Sequence, residues 1–414
     1  MSKVKKYVII AALGLAAGAV FYLPYIKYIL YDAQLITMGI TNKQSGYLLT
    51  VYSIANMFLL IPGGFLADKV STKKSIVYSC LGTGLLGFVY LFNMRSLPIA
   101  LFVWGAMAVS TGFVLWAALY RTVRMLGGED EQGFLYGVYY ACNGLACAII
   151  NFAGVWIYGT GVTMEDGYFR AVLFGAIIPI AVGIALFFLL KNVDQTIQID
   201  DGEPKFSMGD VKELAKNKIV WYISIVMLIG YGFYSSTAYF TPYLTEVMGI
   251  SVTDSGFLSA VRTYLLLLLT PLGGWIADRM FHSTSRWLTV GFLVLAALFG
   301  AVMILPSDIS AAFASIFTLI PSAFVMMTYG LIASLIPEVK IKKALTGTAV
   351  GIVSTVGYLP DSFYSVIFGS WLDKHGVAGY NYIFTFLAIT GVIAAFLCIA
   401  MNRHIQKVKN QPEE

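Results

Sequence analysis

Three charged side chains lie inside long apolar stretches of this sequence: Lys27, Arg262 and Asp361. A guanidinium in such surroundings can hold a carboxylate, sulfonate or phosphate through two parallel hydrogen bonds. A carboxylate in such surroundings can take up and release a proton. A lysine near the end of an apolar stretch can instead extend its ammonium group to the membrane interface. The three residues therefore predict a polar site within an apolar protein.

Arg262 has two interpretations that the sequence leaves open. At the helical period, Ser255 and Ser259 lie on the same face as Arg262, and this polar part of the face predicts a cavity rather than lipid. Arg262 is then either a ligand for an anionic solute or the structural partner of a buried acid. Asp361, which follows Pro360, is the candidate acid, and its alternative role is proton coupling.

Lys27 and Asp32 cannot both face one cavity from a straight helix. The two residues are five positions apart, which places them about 140° from each other around the axis. A bend at Pro24 would remove this conflict. Asp32 shares a stripe with Tyr28 and is a second candidate for proton coupling.

Aromatic and amide side chains on several apolar segments are suited to lining a site for a polar organic solute. The same residues are also common in helix packing, so the prediction is a choice between two roles. The candidates are Tyr28, Trp116, Tyr120, Tyr140, Asn143, Tyr231 and Tyr234.

The composition indicates a protein surrounded by lipid. Of the 414 residues, 58% are hydrophobic and only 12% are charged, and the mean hydropathy is +0.78. Soluble domains carry roughly 25% charged residues. The net charge of +5 does not indicate nucleic-acid binding, because the basic residues occur in short clusters between apolar runs. The four cysteines lie in apolar segments without metal-ligand spacing, so neither a metal nor another cofactor is expected.

Twelve segments are long and apolar enough to cross a bilayer as helices, which need about 20 residues each. The first of them, after a basic start, is too long for a signal peptide and is expected to be retained. The predicted spans, numbered 1 to 12 in chain order, are roughly 7–31, 45–67, 75–94, 98–124, 133–158, 168–190, 219–245, 255–277, 286–305, 310–336, 344–371 and 380–402.

The charges also predict the domains and the orientation. With both termini in the cytoplasm, 21 of the 27 Lys and Arg residues fall on the cytoplasmic side and 5 on the other. The polar stretch 191–218 separates six spans from six. We therefore expect an N-terminal bundle over 1–190, a cytoplasmic linker over 191–218, and a C-terminal bundle with a cytoplasmic tail over 219–414.

An internal repeat relates the two halves. Residues 38–70 align without a gap to residues 248–280 at a constant offset of 210, and 12 of the 33 pairs are identical. Span 2 is thus repeated as span 8, which indicates two parallel six-helix repeats.

The ends of the repeat resemble the signature loop between helices 2 and 3 of the major facilitator superfamily. The first copy contains Gly64-x-x-x-Asp68-Lys69 followed by Lys73, although Ser71 and Thr72 replace a usual glycine and a usual basic residue. The weaker second copy contains Gly274-x-x-x-Asp278-Arg279. Arg121 resembles a residue at the cytoplasmic end of helix 4 in the bacterial organic-anion facilitators of this superfamily.

The resemblance implies an all-α membrane protein of twelve helices in two pseudo-symmetric bundles. It implies a gating role for Gly64, Asp68, Lys69, Lys73, Arg121, Asp278 and Arg279. A cationic residue at the depth of Lys27 is also common in anion facilitators, so the resemblance suggests that Lys27 is a ligand.

The predicted function is secondary transport of a small polar organic anion, such as a carboxylate or a sugar acid, across a bacterial inner membrane. The carrier would work as a monomer by alternating access, coupled to a proton or another ion. A proton-coupled exporter of drugs or metabolites is the alternative, although span 5 lacks the proline that is usual in such exporters. An enzyme is not expected, because the sequence has no nucleotide loop, metal cluster or nucleophile motif.

Overall fold

The protein is helical throughout the part that the structure describes. In the computed structural model this part comprises residues 3–67, 70–113, 115–126, 132–190, 213–304, 309–339, 341 and 346–409. Within these ranges every regular element is an α, 3₁₀ or π helix. A helix satisfies its backbone hydrogen bonds within one segment, as a lipid environment requires. The predicted all-α class is confirmed.

Contacts divide the chain into two compact units. The first unit is Met1–Asp200 together with Ser251–Leu265, and the second is Asp201–Ile250 together with Leu266–Glu414. The beginning of span 8 therefore packs with the first unit. The domain boundaries expected at the linker stay a prediction, because residues 191–212 of that linker lie outside the described residues.

The α-helices are numbered in chain order. In the first unit they are α1 (Lys3–Tyr22), α2 (Tyr31–Met38), α3 (Asn42–Ala67), α4 (Thr72–Leu91), α5 (Leu97–Gly112), α6 (Leu115–Met125), α7 (Gln132–Gly159), α8 (Met164–Leu189) and, after two helices of the second unit, α11 (Val252–Ala260). In the second unit they are α9 (Lys218–Ser236), α10 (Phe240–Glu246), α12 (Thr270–Ile276), α13 (Thr284–Val302), α14 (Ala311–Tyr329), α15 (Leu335–Glu338), α16 (Thr346–Gly357), α17 (Pro360–His375) and α18 (Gly379–Lys409).

Each predicted span coincides with one helix or with a run of consecutive helices. Among the described residues, nine segments are long and apolar enough to cross a membrane, and the last of them, Ala349–Gln406, runs from α16 to α18. Span 4 contains a shorter apolar helix, Leu97–Gly112, because α5 ends at Gly112 and α6 begins at Leu115. The observed helices thus fit the predicted twelve-helix architecture.

Interruptions distinguish the spans from one another within the described ranges. Spans 1 and 4 are interrupted, and so are their repeat mates, spans 7 and 10. Spans 2 and 5 are single helices, α3 and α7, whereas their mates, spans 8 and 11, are broken into several segments. The two halves therefore differ in the two spans that carry Arg262 and Asp361.

The turn before the repeated span has the same geometry in both halves. Gly39 and Gly249 are 210 residues apart, and each has a φ of 66°, a left-handed conformation that glycine adopts without strain. Two residues later, Thr41 and Ser251 each accept a hydrogen bond from a backbone N–H three residues on. A hydroxyl at this position caps a helix N-terminus. The sequence repeat is therefore a structural repeat.

Helices α1 and α7 approach each other closely in the first unit. A Cβ atom at Gly14 would lie 2.7 Å from the backbone nitrogen of Asn143, which is closer than van der Waals contact allows. Small residues permit helices in membranes to pack at short range without a hydrophobic driving force. Gly14 thereby fixes the distance between α1 and the part of α7 that carries Asn143.

Candidate substrate and ion sites

Arg262 lies in an irregular part of span 8. It is completely buried, and it belongs to the π-helical segment Val261–Leu265 between α11 and a short 3₁₀ turn. Its repeat mate Tyr52 lies in the regular helix α3, where the Tyr52 hydroxyl is 2.7 Å from Thr111 Oγ1. Single π turns within helices occur frequently at functional sites. Span 8 thus departs from the repeat in both residue type and backbone at the position of its buried charge.

A hydrogen bond connects the start of span 8 to the interruption of span 1. The Ser259 hydroxyl donates to the backbone oxygen of Tyr28 at 2.6 Å. One turn earlier, a Cβ atom at Gly256 would lie 2.7 Å from the backbone oxygen of Ile29. Because Tyr28 follows Lys27 and Ser259 precedes Arg262 by one helical turn, this junction brings the two predicted cationic ligands into the same region of the first unit.

Span 1 is broken where the sequence allows a bend at Pro24. Helix α1 ends at Tyr22, a 3₁₀ turn covers Ile26–Tyr28, and α2 begins at Tyr31. The Trp104 indole donates to the backbone oxygen of Pro24 at 3.1 Å, which gives this interrupted segment a partner from α5. The angle expected between Lys27 and Asp32 on a straight helix therefore does not apply.

Lys27 is buried within the protein. It is only 3% exposed, and its Nζ atom lies 5.5 Å from the centre of the Tyr31 ring. A side chain that extended to the membrane interface would leave its ammonium group accessible. Asp32, the other predicted ionisable residue of this region, is half-buried in the first turn of α2.

An aromatic row joins several predicted ligands to the broken part of span 1. Its neighbouring ring centres are 5.3–6.4 Å apart, and the Tyr120 and Tyr140 hydroxyl oxygens are 3.1 Å apart. The row consists of Tyr140, Tyr120, Trp116, Phe21, Tyr25 and Tyr28. Ring contacts therefore connect four predicted residues from α6, α7 and span 1, and the row ends at Tyr28, the residue after Lys27.

Asn143 has a local role in the structure. Its side-chain oxygen accepts a weak hydrogen bond from the Cys147 thiol at 3.4 Å, and its backbone lies against Gly14. Asn143 is half-buried, one turn beyond Tyr140 on α7. Its assignment as a ligand stays a prediction.

Asp361 and four tyrosines form a cluster in the second unit. Asp361 is 4% exposed and accepts a hydrogen bond of 2.6 Å from the Tyr231 hydroxyl. The Tyr231 ring centre is 4.8 Å from that of Tyr358, 5.7 Å from that of Tyr234 and 5.8 Å from that of Tyr329. The predicted residues Tyr231 and Tyr234 are thereby brought together with the predicted carboxylate.

Tyr329 belongs to this cluster although it was not among the predicted ligands. It is the last residue of α14, and its ring stacks on Tyr234 with centres 5.2 Å apart. The repeat is the one sequence signal for it. The offset of 210 residues pairs Tyr120 with Gly330, and Tyr329 directly precedes Gly330.

The predicted gating residues fall into two groups. Asp68 and Lys69 lie outside the described residues. Gly64 is described only as a residue of helix α3. The others occupy varied surroundings: Lys73 Nζ is 4.2 Å from the Phe187 ring centre, Arg121 is half-buried on α6, and Asp278 and Arg279 are exposed in a π-helical turn.

The second signature loop shows which carboxylate meets the neighbouring helix N-terminus. Glu338, at the end of α15, accepts hydrogen bonds from the Ser283 hydroxyl at 2.5 Å and from the backbone N–H of Ser285 at 3.2 Å. Ser283 caps α13, whose N-terminal dipole favours an anion. In this half the anion is therefore Glu338, while Asp278 is exposed. Glu338 has no periodic or motif signal in the sequence that would have identified it.

Comparisons with known proteins agree with this architecture. Residues 7–365 match the family described as Major Facilitator Superfamily. The chain is similar to the inner membrane protein YihN of Escherichia coli, with 27% identity over 417 residues that cover 98% of both proteins. It is also 27% identical to the probable nitrate transporter NarT of Staphylococcus epidermidis, over 90% of both proteins. Among solved structures, a bacterial homologue of the human lysosomal transporter Spinster, inward-facing and occupied, has a TM-score of 0.79 at 15% identity and full coverage of both chains.

Proposed function

Because this chain belongs to the major facilitator superfamily, we propose that it carries a small organic anion, such as a carboxylate or a sugar acid, across the inner membrane. Membership makes it a multi-pass membrane protein and a transporter of the secondary kind, not an enzyme. We also propose that transport is coupled to an ion and that the two bundles work by alternating access.

The observation that carries the proposal is the burial of Arg262 in a π-helical turn beside the break in span 1. An arginine in the middle of a membrane helix costs about 2.5–3.5 kcal/mol on insertion scales, so such residues usually face a partner or a polar cavity. The equivalent position in the first half holds Tyr52, so the repeated scaffold does not require the charge. The link from Ser259 to Tyr28 places the neighbourhood of Lys27 next to that of Arg262.

Two further observations support an anionic solute with a polar organic body. The aromatic row from Tyr140 to Tyr28 offers ring faces and hydroxyl groups, and it ends at the residue that follows Lys27. The similar protein NarT bears the name of a probable nitrate transporter, and nitrate is an anion. We assign proton coupling to Asp361, with Asp32 as the second candidate.

Uptake into proteoliposomes tests the proposed function. We expect the purified carrier to accumulate radiolabelled lactate or gluconate when a proton gradient is imposed, and unlabelled solute to compete. Nitrate in the same assay distinguishes an inorganic anion, and efflux of ethidium distinguishes the exporter alternative. Transport of ethidium with no transport of any anion would overturn the proposal.

We also expect both termini in the cytoplasm, because 21 of the 27 basic residues lie on that side in the proposed orientation. A C-terminal alkaline phosphatase fusion, active only in the periplasm, should be inactive, and a C-terminal green fluorescent protein fusion should fluoresce. The reverse pattern, with equal expression of both fusions, would exclude this topology.

A further inference from the structure

The cluster of Asp361 with four tyrosines in the second unit has the chemistry of a site for a positive charge. We propose that Asp361, Tyr231, Tyr234, Tyr329 and Tyr358, here called the tyrosine cluster, bind an organic ammonium group. The inference rests on the proposed function in one respect, because Asp361, assigned above to proton coupling, would bind the ammonium group in exchange for its proton.

The first argument is the summed electrostatic effect of the side chains. The face of a tyrosine ring carries negative potential, and a cation within about 6 Å of a ring centre is attracted to it. The Tyr231 hydroxyl donates to Asp361, which is 4% exposed, and three other tyrosine ring centres lie within 5.8 Å of the Tyr231 centre. Groups of aromatic side chains are a common means of recognising ammonium groups.

The second argument is the position of the cluster at helix ends. Tyr329 is the last residue of α14, and Tyr358 directly follows α16. The C-terminal end of a helix carries partial negative charge and favours cations. Asp361 lies in the first turn of α17, at the opposite, positive end of a helix dipole. The end of α14 thus adds negative potential near Tyr329, whereas the ends of α16 and α17 that meet between Tyr358 and Asp361 carry opposite signs.

The third argument is that packing alone does not explain the residue types. Leucine or phenylalanine would fill a membrane interior without adding a hydroxyl group that must find a partner. The Tyr231 hydroxyl donates to Asp361 at 2.6 Å, which orients one carboxylate oxygen. Tyr358 is 44% exposed, so the protein does not completely enclose the cluster.

Two pairs of probes with the same shape test the inference. Choline and 3,3-dimethylbutan-1-ol differ in charge at one atom, and so do glycine betaine and 3,3-dimethylbutanoate. We expect the full-length protein in detergent to bind the charged member of each pair about five- to tenfold more tightly, as measured by calorimetry and by the shift in melting temperature. Tyr358→Leu should reduce this preference to less than twofold, whereas Tyr358→Phe, which keeps the ring, should retain it.

The outcomes separate this inference from the proposed function. If 3,3-dimethylbutanoate binds through Arg262 while each pair binds equally, the tyrosine cluster has no cation site and the inference fails alone. If choline is preferred but no anion binds, the inference stands and the proposed function fails. An unchanged preference in Tyr358→Leu overturns the inference. A shift of the melting temperature by sodium chloride as large as the shift by choline also overturns it, because it would indicate a site for an inorganic cation.

Discussion

Replacing Arg262 with glutamine is expected to weaken binding of an anionic solute by roughly 10- to 100-fold. The reason is the net loss of about one charge-assisted hydrogen bond, which contributes about 1.5–3 kcal/mol. If Arg262 is a ligand, the melting temperature of the solute-free protein should change little. Arg262→Lys should recover part of the affinity, because it restores the charge without the planar donor geometry.

The rival role for Arg262 is a structural pair with Asp361, and it predicts a different result. Removing one member of a buried ion pair strands the other charge and destabilises the fold by about 3–5 kcal/mol. The double replacement Arg262→Gln, Asp361→Asn should then recover much of that loss. The two roles therefore differ in the coupling energy between the two sites, which is near zero for a ligand and large for a structural pair.

A double-mutant cycle in detergent decides between them when each variant is measured for both melting and binding. Recovered stability in the double variant, with the affinity for the anion unaltered throughout, would end the assignment of Arg262 as a ligand. Arg403→Gln, at an exposed position of α18, is the matched control and should leave both quantities unchanged.

Replacing Asp68 with asparagine is expected to lower the transport rate by at least about tenfold while the affinity for the solute stays within about twofold. The expectation rests on the resemblance of Gly64-x-x-x-Asp68-Lys69 to a gating loop, where a carboxylate stabilises one state by meeting the N-terminus of a neighbouring helix. The asparagine keeps the size of the side chain and removes its charge. Initial rates of uptake in proteoliposomes and equilibrium binding in detergent measure the two quantities separately.

The second copy of the loop offers an internal control for this prediction. Asp278 is exposed, and the neighbouring helix α13 already has Ser283 and Glu338 at its N-terminus. Asp278→Asn should therefore have a much smaller effect on the rate than Asp68→Asn. Equal rates for wild type and Asp68→Asn would refute the gating role of the first copy.

The helical architecture could be predicted from the sequence alone. Apolar runs of about 20 residues have one solution in a bilayer, the helix, because lipid offers no partners for backbone N–H and C=O groups. The offset of 210 residues between the halves likewise reappears in the structure, down to the matched left-handed glycines Gly39 and Gly249. Such features follow from local chemistry and do not depend on how the helices pack.

The surroundings of the ionisable residues were decided only by the tertiary structure. Helical periodicity gives an angular position only while the helix is continuous, and span 1 is interrupted before Lys27, whereas span 8 changes to a π helix at Arg262. The bond from Ser259 to Tyr28 joins residues 231 positions apart, and Tyr329 reaches Tyr234 from a different span. Contacts at such separations depend on which helix faces pack together, and one sequence read along its length does not specify that packing.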